Sequence, residues 1–161
     1  MSRFAALLLA LATIPSPAAG DDKRDDPPGP KLSADEQAVL DLTNAERKKA
    51  DLPPLKPHPQ LMEAARAHAK NMAAQGTLTH VLDEKGPGDR VAAAGYKYAA
   101  VGENILWNAA GPKQAVAGWM DSKPHKENVL KDAYADVGVA VAKSAKGEPY
   151  WVQVFGKPKG E

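Results

Sequence analysis

Apolar positions along the chain follow two periods, and the change from one to the other divides the sequence. From Ser33 to about Ala50, the inner positions Val39, Leu40, Leu42 and Thr43 recur at helical spacing. Ser33 and Glu36 form a capping-box pattern at the start, and Pro53 and Pro54 stop the run. Residues 56–60, KPHPQ, read as a turn. A second helix is predicted from about Gln60 to Gln75, with the stripe Leu61, Ala65, His68 and Met72 facing inward and Gly76 just past its end. A loop follows from Thr77 to Gly88. Asp89 is placed to cap a short helix through Ala94, which Gly95 ends. After an extended piece through GENILW, Pro112 opens a helix that runs to near Asp121. Ser122, Lys123 and Pro124 open another, to about Leu130.

The period then shortens to two. DVGVAVAK (136–143) and PYWVQVF (149–155) read as strands, joined by a hairpin at Ser144 to Gly147. The second strand is apolar on both parities, with Tyr150, Val152 and Val154 on one side and Trp151 and Phe155 on the other. A strand of that kind is covered on both faces. The expectation is an α+β fold: an α/β/α sandwich with a small antiparallel sheet between helical layers.

Composition changes this picture at the ends. MSRFAALLLALATIPSPAAG has a basic Arg3, an apolar run from Phe4 to Ile14 and small residues around Ala18 and Gly20. That is the pattern of a signal peptide over residues 1–20, cleaved near 18–20, and the run is too short to span a bilayer. Residues 21–32 are rich in aspartate and proline and read as a flexible linker. The folded domain is expected over residues 33–156, with 157–161 a mobile tail. The chain has 21 basic and 20 acidic residues, and setting Arg3 aside leaves a mature charge near zero. The charges are interspersed, which argues against nucleic acid and against a polybasic lipid contact. There is no cysteine, so an exported domain of this kind depends on packing without disulfides.

The chemistry concentrates in Gly102–Asn128. Glu103 has Val101 on one side and Ile105, Leu106 and Trp107 on the other. A carboxylate in apolar surroundings needs a partner, and the nearest imidazoles in sequence are His80 and His125. Two nitrogens and an oxygen from His80, His125 and Glu103 suit zinc or another divalent cation and leave a fourth position for water. No H-E-x-x-H is present.

Six segments in order carry a resemblance: LTNAERKKADLPPLK, LMEAARAHAKNMAAQGTLTH, DRVAAAGY, GENI, WMDSKPHKENVL and YWVQVFG. Together they resemble the CAP superfamily, the SCP-type domain shared by cysteine-rich secretory proteins, antigen 5 and plant pathogenesis-related proteins. The absence of cysteine and the WMxSxxH form are similar to its bacterial branch. The resemblance implies an α/β/α sandwich, secretion and a cleft lined by two histidines and two acidic residues. By motif the first histidine is His80, the GEN glutamate is Glu103 and the second histidine is His125. The second acidic position, three residues after Trp119, is Ser122 in this chain.

The resemblance therefore implies a secreted module whose cleft of His80, Glu103, Ser122 and His125 binds a divalent metal, or a small-molecule, lipid or cell-surface ligand, with no firm enzymatic label. The alternatives are a metal-assisted hydrolase of peptide or ester bonds and a lipid or sterol carrier. Ser122 reads as a helix N-cap rather than a nucleophile, since no G-x-S-x-G elbow exists. Asn104 reads as structural and His68 as a core histidine. His58, between two prolines, reads as exposed and inert. Asp83 and Glu84, close after His80, are candidates for the missing carboxylate. Trp107, Trp119 and Trp151 read as core or cleft wall, with core favoured.

Overall fold

The computed structural model describes residues 29–160. The expected signal peptide and residues 21–28 of the expected linker lie outside the described residues. In chain order the elements are α1 (Ala34–Lys49), β1 (Lys56–Pro57), α2 (Pro59–Gln75), α3 (Pro87–Ala93), β2 (Tyr98–Trp107), α4 (Pro112–Asp121), α5 (Lys123–Val129), β3 (Asp136–Lys143) and β4 (Pro149–Pro158). The sheet order is β1-β3-β4-β2. β4 pairs antiparallel with β3 and with β2, while β1 runs parallel to β3.

The two apolar parities of β4 meet two different cores. Trp151 and Phe155 join Val39 and Leu40 of α1, Val116 and Trp119 of α4 and Val129 of α5. Tyr150, Val152 and Val154 join Leu61, Ala65 and Met72 of α2 and Val91 of α3. Helices therefore cover both faces of the sheet, as the doubly apolar strand requires. α2 lies very close to β3: a Cβ at Gly138 would collide with the backbone of Leu61 and Met62. Glycine there lets the helix seat on the sheet.

The helix ends obey their local chemistry. Ser33 accepts from the Glu36 N–H, and Glu36 accepts from the Ser33 N–H. Gly76 takes a left-handed conformation (φ 63°) and donates its N–H to the Met72 carbonyl, which closes α2. α3 begins earlier than its sequence suggests, at Pro87, because Asp89 reaches back from inside the first turn to accept from the Gly86 N–H.

The α+β class holds, and four details differ from expectation. The sheet is mixed rather than wholly antiparallel, because KPHPQ contributes β1 instead of a turn. Lys56 and His58 donate to the carbonyls of Ala135 and Val137. Pro57 falls between those donors, where its missing N–H costs nothing. β4 also continues to Pro158, two residues into the expected mobile tail, because β2 starts at Tyr98 and offers it a backbone ladder. Strand pairing needs backbone and no apolar side chain, so the hydrophobic pattern carries no trace of it. Finally, His58 is half-buried, edge-on to Tyr96 with ring centroids 4.8 Å apart, and Trp107 is exposed.

Arg47 closes the α1 side. It is fully buried. Its guanidinium donates to the carbonyls of Pro53 (2.8 Å), Val129 (2.8 Å), Lys131 (3.0 Å) and Tyr134 (3.3 Å), tying α1 to the segment between α5 and β3.

Candidate functional site

Glu103 stands in the middle of β2, opposite Val154 of β4, so its side chain turns toward α2 and α3. The carboxylate is 1% exposed. One oxygen, Oε1, accepts from His80 Nδ1 at 2.9 Å. The other, Oε2, accepts from Arg90 Nη2 at 2.7 Å. Both oxygens thus hold donors, and a buried carboxylate is tolerated because a cation and an imidazole answer it. Since the carboxylate only accepts, His80 carries its proton on Nδ1. Its Nε2 is left with a lone pair on a ring that is about half exposed (48%). A carboxylate behind an imidazole fixes the ring's tautomer and orientation in this way.

Arg90 organises the rest. From α3 its Nη1 donates to the main-chain carbonyls of His80 (3.1 Å) and Lys85 (2.7 Å). One guanidinium therefore holds both Glu103 and the loop that carries His80. That loop exposes Leu78 and Val81 on either side of the imidazole. Sequence reasoning misses Arg90, since DRVAAAGY stands out only for the Asp89 cap. A signal is nevertheless there: a carboxylate buried among apolar flanks calls for a cation, and Arg90 lies on the nearest upstream helix.

His68 lies against the same carboxylate, with Nε2 3.7 Å from Glu103 Oε1. Its hydrogen bond goes elsewhere, from Nε2–H to the Thr79 carbonyl at 3.0 Å. Burial pushes its pKa down, and the Arg90 charge adds to that against the opposing pull of Glu103. His68 is thus a buried neutral imidazole on the inner stripe of α2, and its Nδ1 has no partner.

His125 occupies the first turn of α5. Its Nδ1 is buried and also without a partner. Burial, and then the neighbouring His80, lower its pKa, which favours the neutral form that ligates metal. The helix is tied to β2 through its backbone and Asn128: Asn104 Nδ2 donates to the His125 carbonyl at 3.1 Å, and Asn128 Nδ2 donates to Asn104 Oδ1 at 3.0 Å. Asn104 also reaches Gln153, whose amide donates to Thr43 of α1. These amides position the cleft wall through the sheet.

The remaining candidates are placed as follows. Ser122 sits between α4 and α5 at the N-cap position, and its hydroxyl makes no capping bond. Asp83 is turned toward α2, accepting from Asn71 Nδ2 at 2.8 Å and Gln75 Nε2 at 3.1 Å. The Asn71 bond first, then that of Gln75, holds its carboxyl below the usual range. Asp83 and Glu84 both take positive φ (51° and 61°) in a tight turn from Leu82 to Lys85. Asp83 is therefore committed to α2 rather than to His80.

Among the described residues, no three His, Cys, Asp or Glu side chains are grouped to hold one metal ion. In the expected ligand set of His80, Glu103 and His125, the carboxylate already accepts one hydrogen bond on each oxygen, from His80 and from Arg90. Two imidazoles, His80 through Nε2 and His125, remain as donors.

Among the described residues, no helix is long and apolar enough to cross a membrane. Residues 40–155 match CAP, the cysteine-rich secretory protein family. The chain is 34% identical over 125 residues to YkwD of Bacillus subtilis (strain 168), covering 77% of this chain and 48% of that protein. The chain thus spans about half the length of this curated relative. Among solved structures, an outer surface protein from Borrelia burgdorferi superposes with a TM-score of 0.74 at 23% identity, covering 81% of this chain and 99% of that one. NaASP2, solved with Zn2+, gives 0.59 at 16% identity, covering 84% and 91%. By sequence match and by fold, the chain belongs to the CAP, or cysteine-rich secretory protein, family.

Proposed function

We propose that this chain is an exported CAP-domain binding module whose cleft takes a divalent cation of the zinc class between His80 and His125. One observation carries the reading: Glu103 is spent on orienting His80, so that Nε2 of His80 is turned free as a lone pair while His125 is kept neutral. The solved NaASP2 structure with Zn2+ is consistent with that use of the fold. When bound, such a cation supplies a Lewis-acidic point for an oxygen or nitrogen of a ligand. Hydrolysis is disfavoured. Both Glu103 oxygens already accept hydrogen bonds, from His80 and Arg90, which weakens the carboxylate as a base, and Ser122 stands where a second carboxylate would. Export rests on the pattern of residues 1–20 and on the outer-surface description of the Borrelia protein.

Calorimetric titration with zinc chloride should find one site on the native chain. His80→Ala and His125→Ala should each weaken it at least tenfold, and Glu103→Gln by roughly 10–100-fold through loss of ring orientation. No uptake by the native chain, or unchanged affinity in the double histidine variant, would end this reading.

A second reading, a lipid or sterol carrier, is favoured by a mostly apolar groove of about 650 Å3 between α1 and the start of α4. Ala38 and Leu42 form one wall, and Ala110 and Pro112 the other. A fluorescent long-chain fatty acid and a fluorescent sterol are suitable probes. Saturable binding lost in Leu42→Arg supports it, and no binding of either removes it.

A further inference from the structure

The groove between α2 and α3 is a second cavity, of about 290 Å3. It exists because both helices offer small side chains there: Ala64 and Ala67 from α2, Ala93 and Ala94 from α3. Its lining includes His68 and Arg90, both of which also reach Glu103. Each brings one buried nitrogen without a partner, His68 Nδ1 and Arg90 Nε. Their chemistry is opposite. His68 gives its proton to Thr79 through Nε2, so Nδ1 is a lone pair that accepts. Arg90 Nε is always an N–H that donates. Both side chains reach the same carboxylate through their other nitrogens, His68 Nε2 at 3.7 Å and Arg90 Nη2 at 2.7 Å, so the two residues belong to one cluster. Buried groups of this kind are normally satisfied, and the exceptions call for an explanation.

Charge narrows the occupant. Arg90 is already neutralised by Glu103. The rest of the lining has Glu63 and Asp83 against Lys85. An anion would meet the two carboxylates, and a cation would meet Lys85. A neutral group that presents an acceptor on one edge and a donor on the other meets neither objection.

We propose that the α2–α3 groove binds a secondary amide, its C=O accepting from Arg90 Nε and its N–H donating to His68 Nδ1, with the acyl methyl against the alanines. The two nitrogens are covered in the free chain, so seating the amide includes a small opening of the floor. A peptide bond and an N-acetylated sugar share this chemistry. The site uses neither His80 Nε2 nor His125, although it shares Arg90 with the contacts that orient His80.

The test is an NMR titration of the full chain with two probes, N-acetylglucosamine and N-acetylalanine N-methylamide, with glucose as the sugar that lacks the amide. Saturable shifts are expected at Ala64, Ala67, Asn71 and Ala93, together with a shift of the His68 Nδ1 resonance. Ala67→Trp and Ala93→Trp each fill the groove from an exposed position, one on either wall. Either should weaken binding at least tenfold while zinc titration is unchanged. Whichever probe binds more tightly identifies the source of the amide. The proposal is overturned if neither probe gives saturable shifts, if glucose binds equally well, or if binding survives in whichever groove-filling variant folds.

Discussion

Arg47 and Arg90 are both buried arginines reached from a helix, and they are completed in different ways. Arg47 spends its donors on four main-chain carbonyls around the end of α5, and none of its nitrogens is left buried without a partner. Arg90 meets a carboxylate and two carbonyls, and its Nε is left over. His68 Nδ1, beside Glu103, and His125 Nδ1, near His80, are also left without partners. The first cluster is closed and holds the fold together. The second is open: it keeps polar groups buried at a cost of about 1–3 kcal/mol each, which a fold selected for stability alone would have removed. Unpartnered nitrogens also occur at His58 Nδ1 and Trp119 Nε1, so what sets this region apart is that its unpartnered groups stand beside titratable side chains, Glu103 and His80.

The largest effect that would test the contrast is at the closed cluster. Arg47→Met removes the donors and leaves four carbonyls facing an apolar chain. It should cost roughly 5 kcal/mol, enough to threaten folding, because each orphaned buried acceptor carries its own penalty. Urea unfolding would measure it, and a loss below about 2 kcal/mol would mean that the carbonyls find water and that the cluster is not closed.

At the open cluster Glu103→Gln should cost less, about 3 kcal/mol. It leaves the Arg90 charge buried without its counter-ion, but Arg90 keeps its bonds to His80 and Lys85. The same measurement decides the ranking. If Glu103→Gln proves the more damaging change, the Glu103–Arg90 pair is a structural keystone and the contrast inverts.

The third effect is pH dependence, and it should arise from the open cluster. His68 and His125 have folded-state pKa values below their ordinary range, while the unfolded chain takes up their protons near pH ~6.5. Below that value the unfolded state binds more protons than the folded state, so stability rises with pH and is lost as pH falls. Above it the contribution is complete. The slope is at most about 1.4 kcal/mol per pH unit for each histidine. His125→Gln should flatten the curve below pH ~6.5 and leave it unchanged above. An identical slope in that variant would assign the acid sensitivity to His68 alone.

How far the sequence revealed these two clusters follows from what a pattern can encode. The helices and the doubly covered β4 were legible because burial of Leu61, Met72, Val152 and Phe155 leaves a period of about four or of two. β1 and the end of β4 were not, since pairing through Lys56, His58 and Pro158 is a backbone affair. His80 and Glu103 were legible as a pair because a buried carboxylate implies a partner, although 23 residues separate them. The roles within the pair were not. Whether Glu103 ligates or orients depends on how many donors already hold it, and Arg90 supplies a donor from a helix whose sequence looks merely amphipathic. Arg47 was hidden in the same way: a long cation on α1 reads as surface until the carbonyls that receive it are in place.

The smallest effect is at Ser122, where sequence reasoning and geometry separate most clearly. A serine before a proline-led helix reads as an N-cap, and losing such a cap typically costs ~1 kcal/mol. Ser122 does hold the N-cap position, with its own carbonyl accepting from the Lys126 N–H at 2.9 Å. Its hydroxyl, however, bonds to no N–H of the first turn. The backbone closes the turn without it, and α5 is held instead by Asn104 and Asn128 through β2. Ser122→Ala should therefore change stability by less than about 0.5 kcal/mol and leave zinc affinity where it was. Asn128→Ala, which cuts the tie to β2, should weaken zinc binding by shifting His125. If Ser122→Ala costs a full cap's worth, or moves the metal affinity as Asn128→Ala does, the hydroxyl belongs to the open cluster after all.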